Sequence, residues 1–243
     1  LAAIAAGSSR IFYEGELAEA IAAHVRKGGG ALTRDDLAAY EAIERPALVA
    51  DIDDWHIATN PPPAVGGAVL TAMLLACGDL HASDWDSTSL DKLVRVQRAC
   101  LDFRRDRLDI AEDVDAAVAE LIHAAREGRF LSQWSSSSTV HTSAVDDSGI
   151  GCAVTASSGY GSGEMPDGTG LWLNNGLGEI ELNRRDLDTR ETGERLPSNM
   201  APTVARSNDA IMAIGSPGAD RITTAIHQVL VNTLQFDMPL AEA

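Results

Sequence analysis

The chain has 243 residues, 45% hydrophobic and 23% charged, the make-up of a folded globular protein with one large domain or two small ones. Its 19 Lys and Arg against 36 Asp and Glu leave a net charge of −17, which argues against nucleic acid and anionic membrane surfaces as partners. Three scattered cysteines, six histidines without paired spacing and no apolar run of spanning length argue against a disulfide framework, a zinc site and a membrane helix.

Residues 1–6 are apolar, with no initiator methionine and no signal-peptide pattern, and residues 238–243 stop as if another element should follow. Both ends lead to the expectation of an internal piece of a longer chain. Leu17, Ile21 and Val25 share one helical face, and Gly28, Gly29 and Gly30 close that helix. No strand precedes the glycines and no Gly-Lys-Ser/Thr follows, so a cap is favoured over a phosphate loop. Thr33, with Asp36 three residues on, marks the next helix start. The prolines at 61, 62 and 63 make a rigid turn before Gly66 and Gly67, which lead into an apolar helix around residues 69–76. Leu90, Leu93, Val94 and Leu101 mark another helix, and Val114, Val118, Leu121 and Ile122 one more, ending near Gly128. Between them Arg104, Arg105 and Arg107 alternate with Asp102, Asp106 and Asp109, the pattern of a solvated, salt-bridged face.

The texture then changes from helical to β-rich. Residues 139–146 and 150–157 flank Asp147, Ser148 and Gly149 as a hairpin, and residues 203–206 and 211–214 flank Ser207, Asn208 and Asp209 as a second. A Gly-rich stretch and a short predicted strand at 171–173 lie between the hairpins. Gly215, Ser216, Pro217 and Gly218 open a long final helix bearing Ile222, Ile226, Val229, Leu230 and Leu234.

Three features of this second half make one chemical argument. Thr139 follows four consecutive serines at the head of a strand, and a cut before it would give one residue both a hydroxyl nucleophile and an α-amine base. The Gly-Ser-Pro-Gly-Ala turn offers successive backbone N–H groups at a helix N-terminus, a setting suited to an oxyanion. The Gly-rich loop with Asn174, Asn175 and Glu179 offers polar groups for a small charged substrate. Each alone also reads as an ordinary strand residue, turn or loop.

Ordered motifs along nearly the whole chain carry a resemblance. They are Phe12-Tyr13-Glu14-Gly15-Glu16, Gly30-Ala31-Leu32-Thr33-Arg34-Asp35-Asp36-Leu37, the prolines with Gly66-Gly67, Thr139-Val140-His141, Tyr160-Gly161-Ser162-Gly163, Leu173-Asn174-Asn175, Ser198-Asn199-Met200-Ala201-Pro202-Thr203 and Gly215-Ser216-Pro217-Gly218. In this set the sequence resembles the γ-glutamyltranspeptidase family of N-terminal-nucleophile hydrolases. The resemblance implies an α+β fold, a four-layer αββα sandwich, incomplete here at both ends. It implies a precursor that cleaves itself into large and small subunits, with 1–138 the C-terminal part of the large and 139–243 the N-terminal part of the small. It implies no cofactor and no metal. The implied partner is a small-molecule γ-glutamyl or acyl-amide substrate of glutathione type, whose acyl group passes to water or to an amino acid or peptide.

Carried over by position, Thr139 matches the nucleophile and Ser157 lies near a supporting hydroxyl. His141 falls on a recurrent histidine read as structural, and Gly218 with Ala219 match the oxyanion-hole pair. Asn175, Glu179, Ser198 and Asn199 match substrate-binding positions, Glu179 toward an α-amine and the 198–199 pair toward an α-carboxylate. The family's usual Asn-Asn-Gln/Glu-Met-Asp-Asp stands here as Asn174-Asn175-Gly176-Leu177-Gly178-Glu179, and Asn199 replaces the second serine of a pair. Those changes leave open an acylase of different specificity, similar to cephalosporin acylases, and a non-catalytic paralogue serving as a binding module.

Overall fold

In a computed structural model describing residues 5–6, 8–81, 85–127, 139–179, 182–185 and 190–243, the chain divides into two compact units. The first comprises Leu1–Arg45 and Gly161–Asn174. It holds α1 (Arg10–Tyr13), α2 (Glu16–Lys27) and α3 (Arg34–Ala38). Ile21 of α2 is buried as its spacing predicts, with Ala18 and Ala22 beside it. The helix ends in the glycine trio, where the Gly30 N–H donates to Val25 O at 2.9 Å and Gly29 takes φ +85°. Thr33 and Asp36 form a reciprocal capping box, each side chain bonded to the other's backbone N–H. The strand expected at 171–173 does not form. Leu173 instead closes an irregular loop, its N–H donating to Glu164 O and its carbonyl accepting from Ser162 N–H.

The second unit comprises Pro46–Tyr160 and Asn175–Ala243. Its first half is not purely helical, as the sequence suggested, because β1 (Leu48–Ile52) and β2 (Trp55–Thr59) form a hairpin at its start. The chain continues through α4 (Val65–Ala76), α5 (Ser87–Phe103), a π-helical turn (Arg104–Leu108) and α6 (Val114–Arg126). Next come β3 (Val140–Val145), β4 (Gly151–Ala156), β5 (Thr203–Arg206), β6 (Ile211–Ile214) and α7 (Arg221–Leu234). Strands β1, β2, β5 and β6 make an antiparallel sheet in that order, while β3 and β4 form a separate two-stranded sheet.

Packing stacks these elements in layers. Helix α4 is apolar on every side and buried on nearly all of it, as a helix with helices on one face and a sheet on the other must be. Its Leu70 and Leu74 join Ile52, Ile57, Ala205, Ile222, Ile226 and Leu230 in a core between the four-stranded sheet and α7. Its Val69 and Met73 join Cys100, Leu108, Val118 and Leu121 on the other side. The β3–β4 hairpin covers the opposite face of the sheet. A Cβ on Gly151 would lie 3.0 Å from both Ile211 Cδ1 and Val204 Cγ1. Helices, four-stranded sheet and hairpin make this an α+β layered sandwich, and among the described residues the outer hairpin face stays open, with Val140 and Val154 exposed.

The expected division at Thr139 concerns cleavage, not compactness. Strand β2 precedes Thr139 and β5 follows it, yet His56–Thr59 pair with all of Thr203–Arg206. Segments on either side of a cut at that point would therefore share one sheet and one core. Among the described residues, no helix is long and apolar enough to cross a membrane.

Candidate active site

Thr139 stands one residue before β3. The last rung of the hairpin pairs Val140 with Ala156, and Thr139 and Ser157 are the next residues along the two chains beyond it. Alternation along the strand turns Val140 outward and puts Thr139 and His141 on the inner face. The residues preceding it, Ser135 to Ser138, lie outside the described residues.

His141 links this strand end to the turn after β6. Its imidazole occupies the space a side chain at Gly215 would need, with Nδ1 2.2 Å from the position of a Cβ there. Its ring nitrogens are bonded to Thr155 Oγ1 at 2.7 Å and Ser143 Oγ at 2.8 Å. Burial pushes its pKa below the ordinary histidine value, which favours the neutral ring. Glycine at 215 is thus required by close approach of a ring, and β3 is keyed to the start of the Gly-Ser-Pro-Gly-Ala turn.

That turn runs into the N-terminus of α7. Gly218 has φ +121° and Ala219 φ +53°, and their carbonyls accept from Arg221 and Ile222 N–H, both at 3.0 Å. Among the described residues, the N–H groups of Gly218 and Ala219 themselves have no protein acceptor. Two adjacent free donors at the positive end of a helix are what a developing oxyanion needs.

A second cluster gathers Ser157, Asn175 and Glu179. Ser157 Oγ accepts from Gly159 N–H at 3.0 Å, Asn175 N–H donates to Ser158 O at 2.9 Å, and Gly159 and Asn175 form an isolated bridge. The space beside Gly159 is taken by Asn175 O and the buried Glu179, both 2.8 Å from a Cβ there. These three expected residues lie together, at the Thr139 end of the hairpin.

Ser198 and Asn199 sit between α4 and the turn at 215–219. Ser198 O accepts from Val65 and Gly66 N–H at 2.9 and 3.1 Å. Asn199 is buried, and its Nδ2 donates to Asp220 Oδ1 at 3.0 Å. Asp220 also receives Arg104 Nη1 at 2.7 Å, and Arg104 Nε donates to Asp109 at 2.9 Å. This corrects the reading of the arginine cluster as a wholly solvated face. Arg105 and Arg107 do pair near the surface, with Asp102, Asp106 and Glu120. Arg104 is only 4% exposed and belongs to an internal network. Burial opposes its charge, but Asp109 and Asp220 outweigh that and raise its pKa further. No local pattern could have revealed it, because Asp220 is 116 residues away.

Of the three free cysteines, Cys77 and Cys100 are buried and Cys152 is exposed. Burial raises the Cys77 thiol to about 12 and drives Cys100 well up too, which leaves both inert. Among the described residues, no group of three His, Cys, Asp or Glu could hold a metal ion. An open groove of about 690 Å³ lined by Leu75, Asp79, Lys92, Arg95 and Arg126 contains none of the site residues.

Comparison with known proteins gives a consistent picture. The sequence model of the family described as Gamma-glutamyltranspeptidase matches residues 1–243. The chain is 28% identical to the glutathione hydrolase proenzyme of Escherichia coli (strain K12), over 96% of this chain and 46% of that protein. It is 27% identical to the Acylase ACY 1 proenzyme of Pseudomonas sp. (strain SE83), over 99% of this chain and 47% of that one. The fold resembles the crystal structure of cephalosporin acylase from Bacillus halodurans, with TM-score 0.78 and 23% identity over 100% of this chain and 48% of that one. The chain spans about half the length of the curated relatives it matches.

Proposed function

The chain belongs to the gamma-glutamyltranspeptidase family, and from that premise we propose that it carries the nucleophile and oxyanion hole of an autoprocessing amidase acting on γ-glutamyl amides. Support comes chiefly from one juxtaposition. Thr139 and Ser157 directly follow the last hairpin rung, Val140 with Ala156, while His141 on the same strand packs on Gly215, the first residue of the turn whose Gly218 and Ala219 N–H groups have no acceptor among the described residues.

In this reading the precursor's Thr139 hydroxyl attacks the Ser138 carbonyl and the Ser138–Thr139 amide bond breaks, freeing the threonine α-amine; water then hydrolyses the ester to leave the Ser138 carboxylate and a free Thr139 hydroxyl. That amine then takes the proton from Thr139 Oγ as Oγ attacks the γ-amide carbonyl. Gly218 and Ala219 N–H stabilise the tetrahedral oxyanion, a contribution of about 100–1,000-fold per donor in comparable sites. The leaving amine departs with a proton, and water or an acceptor amine resolves the acyl-enzyme. Ser157 supports the nucleophile. Asn175 and Glu179 receive the substrate's α-amino end, and Ser198 with Asn199 its α-carboxylate. The segments 1–138 and 139–243 become parts of two subunits joined by the β2–β5 pairing.

One observation favours a second reading, an acylase of different specificity. The Asn199 amide donor is already committed to Asp220, which leaves one donor fewer for a substrate carboxylate. Likeness to the Acylase ACY 1 proenzyme agrees with that reading.

Mass spectrometry and N-terminal sequencing of the purified protein provide the test. The expected result is a fragment beginning at Thr139, absent in Thr139→Ala. An uncleaved protein with full amidase activity would refute the proposal. Cleavage with turnover of an acyl amide but not of γ-glutamyl-p-nitroanilide would select the second reading.

A further inference from the structure

We propose that Arg104, acting through Asp220 together with Asn199, is a positioning residue for the oxyanion turn; this rests on the reading of Gly218 and Ala219 as oxyanion donors. Asp220 immediately precedes α7 but already has helical φ −63° and ψ −16°, not the extended conformation from which an aspartate side chain caps its own helix. Here its side chain makes no such cap. Its Oδ1 receives Arg104 Nη1 and Asn199 Nδ2 instead. The carboxylate thus ties the turn sideways to two distant segments.

The turn needs such an anchor. Ala219, immediately before Asp220, is held at φ +53°, a left-handed conformation that L-residues adopt only when their surroundings impose it. Asn199 reaches Asp220 from a segment that Ser198 O fixes to the first residues of α4. Arg104 reaches it from the first residue of the π-helical turn, which Asp109 N–H closes onto Arg104 O at 2.8 Å while Asp109 Oδ1 holds Arg104 Nε. All four side chains are buried. A buried ion pair is a poor source of net stability, because desolvation offsets its attraction, but it fixes direction well. Direction is what backbone oxyanion donors require, since their contribution depends on aim at the transition-state oxygen.

The experiment compares wild-type protein with Arg104→Lys, which keeps the charge but loses the planar fork, and Asp220→Asn, which keeps the shape and the Oδ1 acceptor. With γ-glutamyl-p-nitroanilide, kcat should fall about 10–100-fold in Arg104→Lys and less in Asp220→Asn, with KM within about twofold. Affinity for a γ-glutamyl boronate, which forms a tetrahedral adduct, should weaken by the same factor as kcat, while glutamate binding holds. Amide hydrogen exchange of residues 215–222 should accelerate in both variants. Folded variants with unchanged kcat and boronate affinity, or with the loss confined to KM, would overturn the proposal. If wild type turns over no γ-glutamyl substrate, the functional reading fails separately and hydrogen exchange decides. Faster exchange in the turn then supports positioning, and unchanged exchange overturns it.

Discussion

Replacing Gly215 by alanine tests how β3 is keyed to the Gly-Ser-Pro-Gly-Ala turn. The added Cβ would lie 2.2 Å from His141 Nδ1, 2.3 Å from Cε1 and 2.7 Å from Cγ. Ordinary carbon contacts begin near 3.5 Å, so the imidazole must retreat by roughly 1.3 Å. It cannot do so and keep its bonds to Thr155 and Ser143. Losing two hydrogen bonds at about 1 kcal/mol each, with modest overpacking strain, gives a destabilisation of about 2–4 kcal/mol. For a chain of this length that lowers Tm by about 5–15 °C. Urea denaturation followed by tryptophan fluorescence measures the loss. The companion is His141→Ala in the Gly215→Ala background, where removing the ring removes the clash. The double variant should then be less destabilised than the sum of the singles by about 1–3 kcal/mol. A Gly215→Ala protein within 0.5 kcal/mol of wild type, on the scale of neutral surface changes, would refute the reasoning, as would strict additivity.

Two further outcomes follow from the same region. Ala219→Gly should keep kcat within about threefold, because the proposed donor is the backbone N–H, and should be neutral or more stable by up to about 1 kcal/mol as left-handed strain is relieved against glycine's extra entropy. A kcat loss beyond tenfold would assign the role to the side chain. His227, fully buried in α7 with Gln97 Nε2 3.1 Å from its Nδ1, has its pKa pushed down by burial to about 4. Its unfolded-state pKa is near 6.5, so above that pH neither state binds the proton and stability is unaffected. As pH falls from 6.5 toward 4 the unfolded chain takes the proton first, and about 3 kcal/mol is lost in all. Urea titrations across that range should show wild type losing about one proton's worth more stability than His227→Gln, and equal slopes would refute this.

The hairpin β3–β4, the helices α2, α4 and α7 and the capping residues were legible because each is written in residues close along the chain. A 3.6-residue apolar period, a threonine three residues before an aspartate and an Asp-Ser-Gly turn act through local sterics and hydrogen bonds. Strands β1 and β2 were not read, because five-residue apolar segments carry too little periodicity to separate strand from helix. The stretch 171–173 shows the converse. Its local propensity suggests a strand, but among the described residues no strand pairs with it, and Leu173 bonds within its own loop.

By itself, then, the sequence determined the α+β pattern, the position of Thr139 at a strand head and the candidate oxyanion turn. Only the tertiary structure decided what surrounds them. It set the imidazole of His141 against Gly215, joined β2 to β5 across the expected cleavage point, and turned Arg104 from an apparent surface charge into the buried partner of Asp220. The physical reason is that each of these pairs is far apart along the chain. Chain neighbours specify local geometry, whereas the closeness of distant residues is set by the layers that bury the core between them.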